Sequence, residues 1–299
     1  MGVTDRVASV LGTGTDPDTD TDTRSGLSLR SLGVQLLVVG LVAAVLLPMY
    51  WTFAVSVRSR AEIFAGQRNL LLDVTSLNWD NYASILFQQG YLDFVLNSLI
   101  IATGNTVLVM VLAVPAAYAF RLGLRGSKDI FFWILTNRMA PPVVFLLPVF
   151  FLVSAMGLNG TYVGLILVYC LFNLPFAIWL LYGIMKAIPP EIDEAVYVDG
   201  GNDVDVLLEV IIPLSKPGIA VGSLLVWLFA WNHYVFTILL TSGDTATITN
   251  GIAQFFTTVG TAWGQLAAAT MITMLPGLVL ASLVQRHIVT GLTFGAVKA

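Results

Sequence analysis

Six apolar runs, each long enough to cross a bilayer, constrain this chain more than any other feature. They cover about Leu32–Val57, Phe94–Phe120, Ile130–Val153, Tyr162–Met185, Ile219–Leu240 and Leu266–Val284. Crossing about 30 Å of hydrocarbon takes roughly 20 helical residues at 1.5 Å each. In lipid the backbone must satisfy its own hydrogen bonds, so runs of this length read as helices. The expected fold is an all-α membrane protein with six transmembrane helices. Composition agrees: only 11% of the 299 residues are charged and 57% are hydrophobic, against about 25% charged in soluble domains. That apolar excess excludes a disordered chain, and a net charge of −4 argues against a nucleic-acid binder. The single cysteine, Cys170, cannot form an intrachain disulfide or a cysteine-based metal site, and no metal site is expected.

Residues 1–31 precede the first run and contain TGTDPDTDTDTR. This low-complexity acidic stretch is too polar to fold alone, so it is expected to be a disordered cytoplasmic tail ahead of a six-span domain over residues 32–299. It lacks the short basic start and small-residue cleavage site of a signal peptide, which makes Leu32–Val57 a retained span. Basic residues set the orientation. With the N-terminus inside, the inner segments hold Arg6, Arg24, Arg30, Arg121, Arg125, Lys128, Lys186, Lys216, Arg286 and Lys298, and the outer ones only Arg58, Arg60 and Arg68. The positive-inside rule therefore predicts that both termini are cytoplasmic, in a multi-pass plasma-membrane protein.

What the spans lack is equally informative. None contains Asp or Glu, whereas ion-coupled transporters commonly keep an intramembrane carboxylate despite its cost. There is no GxxxxGK[ST] phosphate loop and no HExxH, GxSxG or CxxC pattern, so no enzyme activity is expected. If the chain moves a solute uphill, another subunit must supply the energy.

The segment between the fourth and fifth runs, residues 186–217, reads KAIPPEIDEAVYVDGGNDVDVLLEVIIPLSKP. Pro189 and Pro190 suit a helix start, and Glu191, Asp193 and Glu194 complement its dipole. Gly200–Gly201 supplies a stop. Asn202 or Asp203 can cap a second helix, in which Val204, Leu207, Leu208 and Ile211 follow amphipathic spacing until Pro213 ends it. Surface-binding helices are usually rich in Lys and Arg, yet from Glu191 to Glu209 there are seven acids and no base. A protein partner with a basic groove fits better than the lipid surface.

The run Glu194-Ala195-Val196-Tyr197-Val198-Asp199-Gly200-Gly201, continuing to Pro213, resembles the EAA loop of binding-protein-dependent ABC transporter permeases. Glu194, Ala195, Asp199, Gly200 and Pro213 match that pattern in register, while Val196, Gly201, Leu207, Val210 and Ile212 depart mildly, keeping small or apolar character. The stretches NWDNYASILF, LTNRMAPPVVFLLPVFF and GLTFGAVKA, with Asn97-Ser98 and Trp231-Asn232, resemble the carbohydrate-uptake branch, similar to the maltose-type permease. The resemblance spans roughly residues 32–299. It implies a type I importer permease fold, half of a translocation pathway, and a coupling helix seated in a cleft of an ATPase subunit. Glu194 and Asp199 would lie on that surface, Gly200 would form the turn, and the second helix would transmit movement into the fifth span. The implied partners are a second permease, two ATPase subunits that bind ATP and Mg, an extracellular solute-binding protein and membrane lipid, with no cofactor in this chain. The competing reading is a stand-alone channel or facilitator whose acidic loop binds a regulator.

Some polar residues inside the runs are pathway or substrate candidates. Arg138 lies about eight residues into the third run, before Pro141, Pro142 and Pro148. It either belongs to an interrupted helix or snorkels to the inner interface, with a gating or structural role expected over sugar contact. The fifth run carries Trp227, Trp231, Asn232, His233 and Tyr234. Aromatic faces with amide donors suit sugar recognition, and the same residues suit an interfacial belt. His233 stands where many relatives have an acid. Asn97, Asn105 and Asn173 are expected to join helices by hydrogen bonds, and Gly218 with Gly222 hints at close packing.

Overall fold

The structure, a computed structural model, describes residues 29–64, 72, 77–257 and 260–293. Most of the acidic tail expected over 1–31, and the last six residues, lie outside them. The chain divides into two units, Met1–Met49 and Tyr50–Ala299. In the first, the described residues belong to helix α1 (Leu29–Ser56), which continues across the boundary. Apolar side chains of α1 such as Leu36, Leu37, Val39 and Val45 are more than half exposed.

The second unit continues with α2 (Arg60–Phe64), α3 (Asp80–Ala83), α4 (Tyr91–Arg121), α5 (Ser127–Met139), α6 (Leu146–Ala155), α7 (Tyr162–Lys186) and α8 (Glu191–Val198). It is completed by α9 (Asp203–Asp205), α10 (Ile212–Trp231), α11 (Thr237–Leu240), α12 (Ile248–Ala253), a two-residue hairpin of β1 (Phe256–Thr257) and β2 (Gly260–Thr261), and α13 (Trp263–Thr293). Among the described residues, five helices are long and apolar enough to span a membrane: α1, α4, α7, α13 and the continuous stretch Asp203–Trp231.

The core is built by α4, α7 and α10. Lipid gives apolar side chains little reason to cluster, so close approach and internal hydrogen bonds must hold such helices together. Small residues permit the approach. A Cβ on Gly104 would sit 2.7 Å from Ile166 Cδ1, and one on Gly218 would sit 2.5 Å from Ile184 Cδ1. Ala102, Ala113, Ala117 and Ala177 are fully buried along the same contacts. Amides supply the bonds. Asn173 Nδ2 donates to Asn105 Oδ1 at 2.8 Å, and Asn105 Nδ2 donates to the Ile166 carbonyl at 3.0 Å. At the other end of α4, Asn97 Nδ2 donates to the carbonyls of Asp244 and Ala246, and Asn97 Oδ1 accepts from the Tyr162 hydroxyl at 2.6 Å. The three asparagines therefore join elements distant in sequence.

Three expectations need correction. The third run is not one helix: α5 ends at Met139, Ala140 and Pro141 are extended, and a 3₁₀ turn over Pro142–Phe145 leads into α6. A residue before proline is pushed out of the helical region, and here two prolines follow in succession. The fifth run stops at Trp231 instead of reaching Leu240; Asn232 caps it and α11 is a separate short helix. Pro213 does not end the second helix of the acidic loop. The turn before it, Val206–Ile211, is a π-helix, with Ile212 N–H bonded to the Leu207 carbonyl five residues back. This widened turn absorbs the missing proline N–H, and the helix runs on into α10.

The glycine contact is testable. Gly218→Leu forces α10 away from Ile184 and should cost about 1–3 kcal/mol, read as a lower unfolding temperature of detergent-purified protein. Gly183→Leu, with open space at its Cβ position, should leave that temperature unchanged.

Candidate functional site

In the acidic loop, α8 starts directly after Pro190, whose carbonyl accepts from Asp193 and Glu194 N–H. Gly200 turns the chain with φ +87°, a conformation that costs a residue bearing Cβ. Gly201 follows for a different reason: a Cβ there would meet Val196 Cγ1 at 2.6 Å. Asn202 then caps α9, its Oδ1 accepting from Val204 and Asp205 N–H while the Asp205 carboxylate accepts from Asn202 N–H. Tyr197 Oη donates to Asp203 Oδ1 at 2.7 Å and ties the two arms of the turn together. That carboxylate raises the Tyr197 phenol above its ordinary pKa.

The π-turn also changes which residues face inward. Val206 and Ile211, five apart, are fully buried, while Val204 and Leu208 of the expected amphipathic set are more than half exposed. Glu194, Ala195, Asp199 and Gly200 are all exposed around the turn, and Pro213 is exposed further along, at the start of α10. Val198, at 87% exposed, is the most exposed apolar residue of the loop. The result is a firmly folded, acid-rimmed apolar knob.

Sequence reasoning missed the residue that seats this knob. Arg121, the last residue of α4, donates from Nε to the Met185 carbonyl at 2.9 Å, from Nη2 to the Ile188 carbonyl at 3.1 Å, and from Nη1 to Asp193 Oδ2. The side chains of this ion pair are 7% and 11% exposed. A signal was present: Asp193 shares the inner face of α8 with Val196, three residues on, and an acid on an apolar face requires a base.

Arg138 is the penultimate residue of α5, just before the helix break. Its Nη1 donates to the Phe172 carbonyl at 3.1 Å, and its guanidinium lies 5.8 Å and 5.2 Å from the ring centres of Phe176 and Phe229. It therefore joins α5 to α7 and α10. A cavity of about 440 Å³ beside it is lined mainly by apolar residues, among them Trp133, Phe145 and Phe172. The His233 ring packs on Tyr169 at 4.6 Å and approaches Phe172 at 6.4 Å, so Arg138 and His233 meet around one phenylalanine. Asn232 and Tyr234 are exposed on the turn that carries His233. Trp231 stands apart. It is 3% exposed, stacked on Trp227 at 4.8 Å, and donates from Nε1 to the Thr273 carbonyl.

The fold is that of a polytopic membrane protein, and comparisons identify the family. Residues 109–293 match the model of the binding-protein-dependent transport system inner membrane component, and the chain belongs to this family of ABC transporter permeases. It is thus a multi-pass inner-membrane transport subunit, not a catalytic one. It is 34% identical over 264 residues to the trehalose transport system permease protein SugB of Mycobacterium tuberculosis, covering 86% of this chain and 94% of that one. The diacetylchitobiose uptake system permease protein NgcG of Streptomyces coelicolor is 29% identical, covering 85% and 84%. The fold is shared with a bacterial ABC transporter that imports alginate, with TM-score 0.71 and 23% identity over 86% of this chain and 96% of that one. A second alginate transporter structure, in complex with its pentasaccharide-bound periplasmic protein, gives TM-score 0.62 at 15% identity over 85% and 92%.

The cap makes a local prediction. Asn202→Ala removes the acceptor for two N–H groups and should cost the second arm about 1 kcal/mol. That corresponds to roughly fivefold faster proteolysis within the loop, where cleavage tracks local opening.

Proposed function

We propose that this chain is one of two permease subunits of an ATP-driven sugar importer, with six spans, α5 and α6 together forming the third. Both termini lie in the cytoplasm, the acidic tail precedes α1 and so ends by residue 28, and the loop over 186–217 is the coupling element. The observation that carries the reading is the knob: an exposed apolar tip ringed by Glu191, Glu194, Asp199 and Asp203, fixed by a glycine turn and a capping box. Such a surface suits a basic, partly apolar groove on an ATPase subunit better than an anionic leaflet. Glu194, Ala195, Asp199 and Gly200 form the docking surface, and Pro213 with its widened turn marks where the second arm of the loop passes into α10.

The lever is the helix from Asp203 to Trp231, 29 residues and about 43 Å at 1.5 Å per residue. ATP and Mg are held by the two ATPase subunits. Their closure moves the knob, and an unbroken helix carries the movement to Trp231 and the turn beyond it. There Arg138, Asn232, His233 and Tyr234 are the pathway candidates, with Trp231 packed behind them. A carbohydrate substrate is supported by the trehalose and diacetylchitobiose permeases to which the chain is similar, and an extracellular binding protein by its family. A stand-alone channel would have no need of a preformed docking knob.

Affinity purification of the tagged chain with its operon partners in mild detergent tests the docking surface. Recovery of an ATPase subunit should fall about tenfold or more with Glu194→Lys or Val198→Asp, the scale of a lost interface anchor. Recovery of the chain alone, passing solute in liposomes without ATP, is the result expected of a channel. Gly200→Pro, which cannot adopt φ +87°, should abolish coupled uptake while membrane insertion stays normal.

A further inference from the structure

The proposed coupling loop is joined to the membrane core by more than the helix that follows it. Its other covalent attachment runs through Ala187, Ile188, Pro189 and Pro190, four residues between the end of α7 and the start of α8. A non-helical linker of this kind is where a short helix would swivel, and a swivelling knob would dissipate any push applied to it. Arg121 spans this linker. Its guanidinium binds the Met185 carbonyl before the linker, the Ile188 carbonyl within it, and the Asp193 carboxylate beyond it.

We infer that Arg121 and Asp193 are positioning residues that lock the linker, so that α8 moves as one body with the ends of α4 and α7 as well as with α10. This rests on the coupling role proposed for the loop. Three features support it. The pair is buried, so water neither screens nor competes for it. The three acceptors lie at different angles around one planar fork, a geometry that Arg can satisfy and Lys cannot. And the carbonyls it binds are at the terminus of α7, where intrahelical donors run out and a cation is favoured. Arg121 therefore joins α4 and α7 at one point to the helix that receives the push. Movement of the knob would reach α4 directly, without first travelling along α10.

The reconstituted importer, with both permeases, the ATPase subunits and the binding protein, provides the test. Arg121→Lys keeps the charge and loses the fork. ATPase subunits should still co-purify, because the exposed face of the knob is untouched. Uptake should fall about tenfold, within the ~5–150-fold range of ordinary coupling between sites, while hydrolysis continues, so that more ATP is consumed per solute moved. Asp193→Asn should do the same, and the double variant should be no worse than either single one. Unchanged uptake and stoichiometry in Arg121→Lys overturn the inference. Loss of the ATPase subunit from the purified complex also overturns it, because the pair would then build the docking face and not transmit movement. A second measurement leaves the pair intact. Spin labels at Leu124→Cys and Glu191→Cys should keep their separation within about 2 Å between nucleotide-free and ATP-bound states, the scale of ordinary packed-helix shifts. A larger change in that background means that α8 swivels on its linker, and the inference fails even if Arg121→Lys does not fold. If Glu194→Lys retains both ATPase recovery and uptake, the docking reading itself fails, a result that separates the two claims.

Discussion

The mutual close packing of α4, α7 and α10 is the contact on which the rest of the molecule depends. It exists because side chains are missing where backbones meet, at Gly104 and Gly218, and because buried amides find partners across the gap. In a membrane an unsatisfied amide has no water to turn to, so Asn105 and Asn173 specify register more strictly than apolar packing can. Asn97 extends the same logic to the segment after α10, fixing the carbonyls of Asp244 and Ala246 against α4. At the opposite end of α4 the arginine takes over, and Arg121 makes three bonds there, as many as Asn97 makes near the start of the helix. One helix thus organises both ends of the second unit by presenting polar groups at intervals along an otherwise apolar length.

Much of this was legible in the sequence, for a simple reason. Long apolar runs, the DGG turn and an acid-rich loop are local signals, and the helices, the Gly200 turn and the Asn202 cap are local structures. The errors arose where a local rule met compensation from elsewhere. Pro213 is a helix breaker only if the preceding ladder is an ordinary α-helix; the π-turn over Val206–Ile211 removes the conflict and shifts the buried face to a spacing of five. No single-sequence periodicity anticipates such a turn. The fifth run reads as apolar through Leu240, but its last ten residues include Asn232, His233 and Tyr234, which leave the helix at Trp231. Arg121 was legible only as a charge near the inner surface. Its partner is 72 positions away, and nothing in either local pattern names the other.

The polar residues of the third and fifth runs show how the same chemistry can serve packing or recognition. Trp231 uses its indole N–H on the Thr273 carbonyl and its face on Trp227, which leaves little of it to offer a ligand. Arg138 is different. It engages one carbonyl and two ring faces, none of them an anion, and it sits where the helix is broken. Broken helices within transporter folds place backbone and charged groups beside a cavity while keeping them supported by protein. The His233 ring approaches the ring of Phe172, whose carbonyl accepts from Arg138, so movement of the turn after α10 and movement of the α5 end would be felt at a common residue.

In the proposed importer a push on the acidic loop would have to reach that common residue. A push on the loop is useful only if it arrives as displacement and not as local deformation, and packed helices respond by discrete rigid shifts more readily than by bending. The helix carrying the push ends at Trp231, whose indole is held by α13 and whose neighbour Trp227 is held by Thr103 of α4. Displacement of α10 therefore cannot stay in α10; it must either carry α4 and α13 with it or break those bonds. With Arg121 fixing α4 to α8 at the loop end and Trp227 fixing α4 to α10 toward the other, the first course costs less. α5 belongs to this body as well: its Phe131 packs on Phe120 of α4 and Tyr182 of α7, and Arg138, beside the proline break that leads to α6, adds a carbonyl bond to Phe172 and the ring faces of Phe176 and Phe229.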